Sequence, residues 1–597
     1  MTTSPSIDAA GGTIKFVVHS NGSEISGTIP VISIKIRSAL NRIPYAEIIL
    51  EDGDMPNKDF PISDSADFVP GAEIKVELGY DEECETVFEG IIVKHGISIT
   101  GFGGSRLVIE CRDKAVAMTL GRKNTNFVEK KDSDIVSTII GTYSGLTSDV
   151  GSTTNQHKEI VQYYATDWDF VLSRAEVNGQ VIAVVAGKLT VKVPDVSGTA
   201  ALSVTYGDDI IEFEASVDAL SQFSSVDGKA WSPKTQSLVT QSATPKTLNA
   251  QGNITSAKLA EVVGLSSYRL QTPTPLESDV VKGWADGQQT KSALSRIRGR
   301  MVFPGSAKAK VGGLIELSGV GDRFNGSVYV SGVSHTVTDG NWVTEVEFGM
   351  PARWFAESED IVAPSASGLL PGIEGLHIGV VKKLDADPMS ENRVQVSIPL
   401  LEAETDGVWA RLSKFYATQG MGAFFVPEVG DEVLLGYLNN DPSHPVILGS
   451  LYSSNRKPPY TLSAENYKKA IVTKANLKLE FDDEKKIITL LTPGNNKIVI
   501  SDDGKSITLQ DQTNNIVKLS EAGISLDSPK DIKITADGKI SISATGAISI
   551  DSKADITATA TNITATAKAS LTGKGSASAE ISSPGQTTIK GSMVMIN

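Results

Sequence analysis

The stretch GISLDSPKDIKITADGKISISATGAISIDSKADIT, residues 523–557, repeats a pair of apolar residues every eight positions. The pairs are Ile524/Leu526, Ile532/Ile534, Ile540/Ile542, Ile548/Ile550 and Ile556/Ala558. Because alternate residues of a strand point to the same face, each pair predicts a short strand with both apolar side chains on one side. The Asp, Ser, Thr, Lys and Gly residues between the pairs favour turns. The repeat therefore predicts a stacked array of short strands and turns.

An apolar strip only two residues wide is too narrow to give one chain a dry core without exposing strand edges. Three chains wound together would pair those edges and bury all three strips, so we predict a homotrimeric needle, with a single-chain β-helix as the structural alternative. After Ile556 the register slips by one residue, and the next pair is Ile563/Ala565. Upstream pairs at spacings of 11, 10 and 9 predict a shaft that tapers into the octads: Leu477/Leu479, Ile488/Leu490, Ile498/Ile500 and Ile507/Leu509.

Composition limits the classes of function. The chain has 597 residues, enough for several domains, and a net charge of −16, which argues against a nucleic-acid partner. Cys84 and Cys111 are the two cysteines, and we expect both to be reduced. The N-terminal MTTSPSIDAAGG has neither a basic nor an apolar segment, so we expect synthesis in a bacterial cytoplasm without a signal peptide.

Residues 14–120 alternate in the manner of β-strands, and their turn signals predict a barrel or sandwich. The candidate strands are 14–19, 31–36, 45–50, 73–78, 87–94 and 106–111. Part of this pattern returns later in the chain: Glu73–Gly79 is similar to Gly313–Gly319, and Phe88-Glu-Gly90 is similar to Phe324-Asn-Gly326. The echo predicts two related β domains that flank an insertion.

The insertion contains helix signals. Residues 132–141 predict a short helix, and Thr166 predicts the N-cap of a second helix that ends at Gly179. Lys291–Arg300 is a candidate basic helix.

Residues 376–452 predict a small barrel of the OB type, after a linker at 359–372. Its candidate strands are 379–381, 393–399, 407–412, 422–426, 432–438 and 446–450.

The segment GAFFVPEVGDEVLLGYLNNDPSHPVILGSLYSSNRKPP, residues 422–459, resembles the signature of VgrG-type spike proteins of contractile injection systems. Arg393–Pro399 and Val408–Leu412 fit the same barrel. Thr166–Phe170 and Trp231–Gln236 are similar to motifs of the family's hub, so the resemblance covers nearly the whole chain.

The resemblance implies a mainly β, multidomain chain. We expect two tube-like β-barrels with a small α/β insertion, an OB-fold neck and a C-terminal triple-stranded β-helix or prism formed by a homotrimer. The expected boundaries are 1–120 for the first hub barrel, 121–200 for the insertion, 201–358 for the second hub barrel, 359–372 for a linker, 373–457 for the neck, 458–474 for a second linker and 475–597 for the needle.

The resemblance also implies partners and a mode of action. The expected partners are a hexameric inner tube protein, baseplate proteins, a PAAR-type tip protein and effector cargo, with transient contact to a target membrane and no nucleic acid. The trimer would link the tube to the tip, pierce membranes mechanically and be expelled with the particle on contraction. Type VI, phage-like and extracellular machines all remain open.

Catalytic, cofactor and metal sites are not predicted. None of the six histidines has a metal-ligand spacing, and Asp167 and Asp169 are explained by helix capping. Gly504-Lys505-Ser506 lacks the first glycine of a phosphate-binding loop and predicts a turn. One alternative function is a trimeric β-helix enzyme acting on cell-wall or surface polysaccharide, which would need aromatic sugar platforms, but the needle has no aromatic residue after Phe481. Another is an adhesin fibre, against which the VgrG-type signature and the expected lack of a signal peptide count.

The last residues include the apolar cluster Met593, Val594, Met595 and Ile596. Chain ends are usually polar and frayed, so an apolar end needs an explanation. Either these residues close the core of the trimer, or they form a platform that binds a PAAR-type tip protein. We propose the platform as the candidate site.

Overall fold

The computed structural model describes residues 3–101, 104–246, 248–358, 361–401 and 406–596. Glu359 and Asp360 of the first predicted linker, and Asn597 beside the predicted platform, lie outside the described residues. The chain divides into two compact units, Met1–Leu451 and Tyr452–Asn597. The chain is mainly β, as its resemblance implied.

Six long strands at the start of the chain surround one apolar core. Their buried residues alternate with exposed ones, for example Ile74, Val76 and Leu78, as expected for strands with one apolar face. All six strands predicted between residues 14 and 111 are confirmed. The elements are α1 (Pro5–Ala9), β1 (Ile14–Ser20), β2 (Ser23–Glu24), β3 (Val31–Ala39), β4 (Tyr45–Glu51), β5 (Glu73–Tyr80), β6 (Glu83–Thr100) and β7 (Gly104–Arg112).

The insertion packs two helices against short strands around a separate core. Both predicted helices are confirmed, and Thr166 accepts a hydrogen bond from Asp169 N at 3.1 Å as the N-cap of the second. The β8–β10 pair was not predicted, because its residues are mostly polar. The elements are β8 (Lys123–Lys131), α2 (Asp132–Ile140), β9 (Thr147–Val150), β10 (Gln156–Ala165), α3 (Asp167–Val177), β11 (Val181–Val185) and β12 (Lys188–Lys192).

A second set of strands follows, interrupted by a three-stranded sheet and two helices. The elements are β13 (Leu202–Thr205), β14 (Glu212–Val217), β15 (Val226–Ser232), β16 (Ser237–Ala243), α4 (Ser256–Val263), β17 (Tyr268–Thr272), α5 (Ser278–Ser295), β18 (Ile297–Pro304), β19 (Leu314–Ser318), β20 (Gly326–Thr338) and β21 (Asn341–Phe348).

The predicted basic helix at Lys291–Arg300 is wrong in its bounds. Helix α5 begins at Ser278 and ends at Ser295, and the arginines beyond it lie in or beside β18. Ile297, Met301 and Phe303 are buried in the core of the second sheet, so the alternation of apolar residues outweighs the helical pattern of the preceding lysine and alanines.

The two six-stranded sets have the same strand order. It is β1-β5-β6-β7-β4-β3 in the first and β13-β19-β20-β21-β18-β14 in the second. A bulge interrupts the β6–β7 ladder between Ile92 and Lys94, and another interrupts the β20–β21 ladder between Val330 and Gly332. The related β domains expected from the sequence echo are therefore present, although β13 runs parallel to β19 whereas β1 runs antiparallel to β5. The Phe-x-Gly match is not structurally equivalent, because Phe88 lies inside β6 and Phe324 precedes β20.

A five-stranded closed barrel forms the end of the first unit. Its elements, with one short hairpin, are β22 (His377–Lys383), β23 (Val394–Ser397), β24 (Val408–Leu412), β25 (Ala417–Thr418), β26 (Met421–Gly422), β27 (Glu432–Tyr437) and β28 (Pro445–Leu451). The strand predicted at 422–426 is wrong: only Gly422 pairs, in the β25–β26 hairpin, which lies outside the barrel ladder.

The second unit begins as an antiparallel meander of seven strands. They are β29 (Lys468–Val472), β30 (Lys478–Asp482), β31 (Ile487–Leu491), β32 (Lys497–Ser501), β33 (Ser506–Gln510), β34 (Ile516–Ser520) and β35 (Gly523–Asp527). The predicted taper is wrong. Strand β30 carries Leu479 and Phe481 rather than Leu477 and Leu479, and β34 adds the pair Val517/Leu519, which the sequence pattern did not single out.

His335 makes the fold sensitive to acid. It is buried on β20 opposite Ile36 of β3, and its Nδ1 lies 3.0 Å from Thr344 Oγ1. Burial lowers the pKa of His335 from 6.5 to about 4. Because the unfolded chain then binds the proton more tightly, the contribution of His335 to stability is fully present above about pH 6.5 and is lost towards pH 4, by about 2 kcal/mol at pH 5. Urea unfolding at pH 7 and pH 5 should show this loss, and His335→Gln should reduce it, whereas an unchanged pH dependence in that variant would contradict the assignment.

Candidate functional site

An apolar stripe two residues wide follows one face of the meander. Neighbouring pairs oppose each other across the ladder, for example Ile498 with Leu509 and Ile500 with Ile507. From Ile488 to Leu519 the side chains of the stripe are 37% to 45% exposed. The stripe comprises Leu479, Phe481, Ile488, Leu490, Ile498, Ile500, Ile507, Leu509, Val517, Leu519, Ile524 and Leu526.

Polar loops between the strands fix the register of the meander. In the β33–β34 loop, the Asp511 carboxylate accepts hydrogen bonds from Thr513 and Asn515, through both backbone N–H groups and both side chains, at 2.7 to 2.9 Å. These donors lower the pKa of Asp511 to about 2. The loop therefore keeps its charge and its shape over the whole physiological range, so the stripe is presented on a defined framework.

The start of the meander is held by charge. Lys468 on β29 forms ion pairs of 2.8 Å with Glu480 and Asp482 on the neighbouring strand β30. Hydrogen bonds to Asp482 and then Glu480 raise the pKa of Lys468 above its usual range. These contacts lie on the polar side of the strands and leave the stripe uncovered.

The octad region beyond β35 makes no strand ladder within the described part of a single chain. Every described residue from 529 to 596 is exposed, including the isoleucines of the octads, which are 52% to 74% exposed from Ile532 to Ile550. The predicted strands of the octads are thus unpaired in one chain. Met593, Val594, Met595 and Ile596 follow them with exposures of 79%, 50%, 76% and 88%.

This arrangement cannot be stable as a lone chain. Ordering a residue costs roughly 1 to 2 kcal/mol of conformational entropy, and residues 529–596 bury almost nothing against that cost. Fully burying one isoleucine or leucine would return about 1.5 to 3 kcal/mol. The stripe and the octad isoleucines are therefore an assembly surface, and its open edges and apolar pairs fit further copies of the same chain.

A second exposed apolar surface surrounds the β25–β26 hairpin. Phe415 and Phe424 are 91% and 89% exposed, and Phe425 is 56% exposed. Lys414 Nζ donates to the carbonyl oxygen of Phe425 across the base of this loop. Sequence reasoning placed Phe424 and Phe425 in a barrel strand and in a family signature; the two adjacent aromatics, which cannot both face one barrel core, were the available signal.

The candidate chemistry weighed in the sequence has structural explanations. Asp167 forms an ion pair with Lys123 and accepts hydrogen bonds from Gln162 Nε2 and Tyr143 Oη at 2.8 and 2.7 Å. Residues 504–506 form the turn between β32 and β33 and the first residue of β33. Among the described residues, no group of three or more His, Cys, Asp or Glu side chains is placed to bind a metal ion. No helix in the described part of the chain is long and apolar enough to span a membrane.

Three family models match the chain. Residues 10–339 match the Alg8 N-terminal domain, residues 377–452 match the type VI secretion system/phage-baseplate injector OB domain, and residues 487–554 match the phage baseplate V C-terminal trimerisation domain. The last model covers most of the stripe and the first octads.

Similar proteins share short segments with the chain. It is 33% identical over 86 residues to the actin cross-linking toxin VgrG1 of Vibrio cholerae, which is 14% of this chain and 8% of that protein. It is 34% identical over 61 residues to the type VI secretion system spike protein VgrG1a of Pseudomonas aeruginosa, which is 10% of each. The matches thus span a tenth or less of these relatives. A type VI secretion component of E. coli aligns over 73% of this chain and 99% of its own, with 12% identity and a TM-score of 0.36.

Proposed function

This chain belongs to the Alg8 N-terminal domain family and is a VgrG-type spike protein of a contractile injection system, and from that premise we propose that its trimer joins an inner tube to a pointed tip. The single observation that carries the proposal is the apolar surface of residues 479–596. Because most of its apolar side chains are exposed in one chain, this surface fits cover by two more copies. A shaft made in this way would transmit an axial force without any chemical step.

The two six-stranded sets support the tube end of the proposal. Both have the same strand order and each has its own core. Three chains would present six similar sheets, which suits a hexameric inner tube. Baseplate proteins and effector cargo are the further partners we propose, and we propose that the protein is released with the particle on contraction and contacts the target membrane only then.

We propose that this chain acts mechanically rather than as an enzyme. The activity named for the Vibrio cholerae relative belongs to a protein of which this chain matches 8% of the length. A cell-wall hydrolysis assay on the purified trimer is expected to show no activity above buffer, and hydrolysis by the trimer would restore the polysaccharide enzyme as the better function.

We propose that Met593, Val594, Met595 and Ile596 bind a PAAR-type tip protein. The triple variant Met593→Ser, Met595→Ser and Ile596→Ser should weaken retention of the tip protein in a pull-down by at least about 100-fold, since several apolar side chains at about 1.5 kcal/mol or more each are lost from the contact. Thr587→Ser, a small polar change nearby, is the matched control and should retain the tip.

Light scattering and thermal melting of the same variants separate the two roles of this cluster. If the four residues only close the trimer core, the triple variant will melt earlier yet keep its tip. That result would overturn the platform and leave the spike itself standing.

A further inference from the structure

Within one chain the two six-stranded sets are joined by a strand-to-strand seam. The distal half of β20, Gly332–Thr338, pairs antiparallel with β3, and Val337 lies opposite Ile34. His335 and Val337 are only 5% and 6% exposed there. Val337 also packs in the core of the first set, so the seam buries apolar side chains as well as pairing two edges.

The first set has a strand that corresponds to β20. Strand β6 is also a long strand, with 18 residues against 13 in β20, and it has a bulge in the same place. Just past the bulge, Lys94 pairs with Glu110 as Gly332 pairs with Glu347. With the bulges aligned, residues 94–100 of β6 correspond to residues 332–338 of β20. By the shared strand order, β14 in the second set corresponds to β3 in the first.

These two counterparts have uncovered edges. The β-ladders place β7 on one edge of residues 94–99, and the described residues put no strand on the other edge. Strand β14 pairs with β18 alone among the described strands. Both edges would therefore offer backbone N–H and C=O groups to a partner strand.

The side chains at these edges are apolar where the seam within the chain is buried. Ile97 and Ile99 are 48% and 67% exposed, although their counterparts His335 and Val337 are buried. On β14 the residues on the core side are Phe213 and Ala215, which pack only partly into the second core. The edges of β6 and β14 correspond to the two edges that pair in the internal seam, but the described residues give them no partner strand. A strand from another copy of the chain therefore fits each of them.

We propose that the distal half of β6 in one chain pairs antiparallel with β14 of the next chain, in the register set by the β20–β3 seam. Lys94 then lies opposite Asp218, Ile97 opposite Ala215, Ser98 opposite Glu214 and Ile99 opposite Phe213. The two edges differ, so the contact is heterologous and closes a ring when three chains meet. This inference rests on the proposed trimer and specifies how its hub is sealed: six sheets joined by alternating internal and intermolecular seams.

Cysteine cross-linking of the full chain tests the register. In a background with Cys84→Ser and Cys111→Ala, Ser98→Cys with Glu214→Cys should give covalent trimers on oxidation. Directly opposite Cβ atoms are about 4.5 to 5.5 Å apart, whereas diagonal neighbours lie about 7 to 8 Å apart. The pair Ser98→Cys with Glu212→Cys, two residues out of register on the same face, should therefore cross-link at least about 10-fold more slowly.

Two measurements make the result decisive. Lys35→Cys with Thr336→Cys reports the internal seam and should cross-link within one chain, which shows that oxidation works at such a site. Light scattering gives the oligomeric state before oxidation. A trimer that fails to cross-link at 98/214, that does so within one chain, or that cross-links equally well at 98/212 overturns the seam and leaves the spike function intact. A chain that stays monomeric overturns both.

Discussion

Ile507→Asp is expected to abolish the trimer of the C-terminal unit. Ile507 lies in the stripe opposite Ile500 and Leu519, and threefold assembly would bring three copies of the new carboxylate into one apolar layer. Removing each charge from water costs on the order of several kcal/mol, which exceeds what one layer of the stripe contributes. Light scattering at micromolar concentration should show monomers in place of trimers.

Thr508→Asp is the matched control for this substitution. Its side chain lies on the other face of β33, opposite Lys518 of β34, where a carboxylate is favourable. We expect its trimer to melt within a few degrees of the wild type. Acidification should partly restore the Ile507→Asp trimer, since burial favours the neutral acid. A stable Ile507→Asp trimer at neutral pH would show that the stripe faces solvent.

Lys291→Ala is expected to destabilise the first unit by about 3 to 5 kcal/mol. Lys291 Nζ lies 2.6 Å from Glu176 Oε1, and both side chains are nearly buried between α5 and α3. The second oxygen of Glu176 accepts a hydrogen bond from Phe355 N at 2.7 Å. Without the ammonium group, the buried carboxylate of Glu176 loses the partner of one oxygen and keeps only the hydrogen bond from Phe355 N. Urea unfolding monitored by tryptophan fluorescence should show the loss.

Two variants test whether charge is the cause. Lys282→Ala removes an exposed ion pair to Asp286 from the same helix and should cost less than about 1 kcal/mol. The double variant Glu176→Gln with Lys291→Met removes both buried charges and should recover most of the stability. If the double variant is no better than Lys291→Ala, packing rather than charge accounts for the loss.

The sequence was most informative where one residue pattern excluded others. Strict alternation, as in Ile74, Val76 and Leu78, predicted the first six strands, and the capping pattern at Thr166 predicted α3. The sequence was least informative where polar strands pair, as in β8 and β10, because the backbone hydrogen bonds between strands do not require particular side chains. The bounds of α5 were missed since the lysine and arginines after position 290 fit a helix, whereas the buried partners of Met301 and Phe303 come from strands remote in sequence.

The assembly surface could likewise be predicted only in part from the sequence. The upstream pairs from Ile488 to Leu509 and the first octad, Ile524/Leu526, were predicted correctly as parts of the stripe, because the two residues of each pair lie on one face of a strand, whereas Phe481 was missed and Leu477 was wrongly included. The sequence pattern did not reveal the pair Val517/Leu519, whose loop to the preceding strand is longer than in the octads. The uncovered strand edges at Ile97 and Phe213 could not be predicted from the sequence either. They are recognised only by comparison with the corresponding strands β20 and β3, which pair with each other in the structure.

The exposure of residues 529–596 in a single chain has a consequence for the population of chains. If residues 529–596 become ordered only within a trimer, one defective chain disrupts the tail of all three chains in that trimer. In a mixture, the fraction of sound spikes falls as the cube of the fraction of sound chains, so a defective tail with an intact hub would act as a poison subunit. A mutation in residues 529–596 is therefore expected to impair the wild-type chains that share a trimer with the mutant chain.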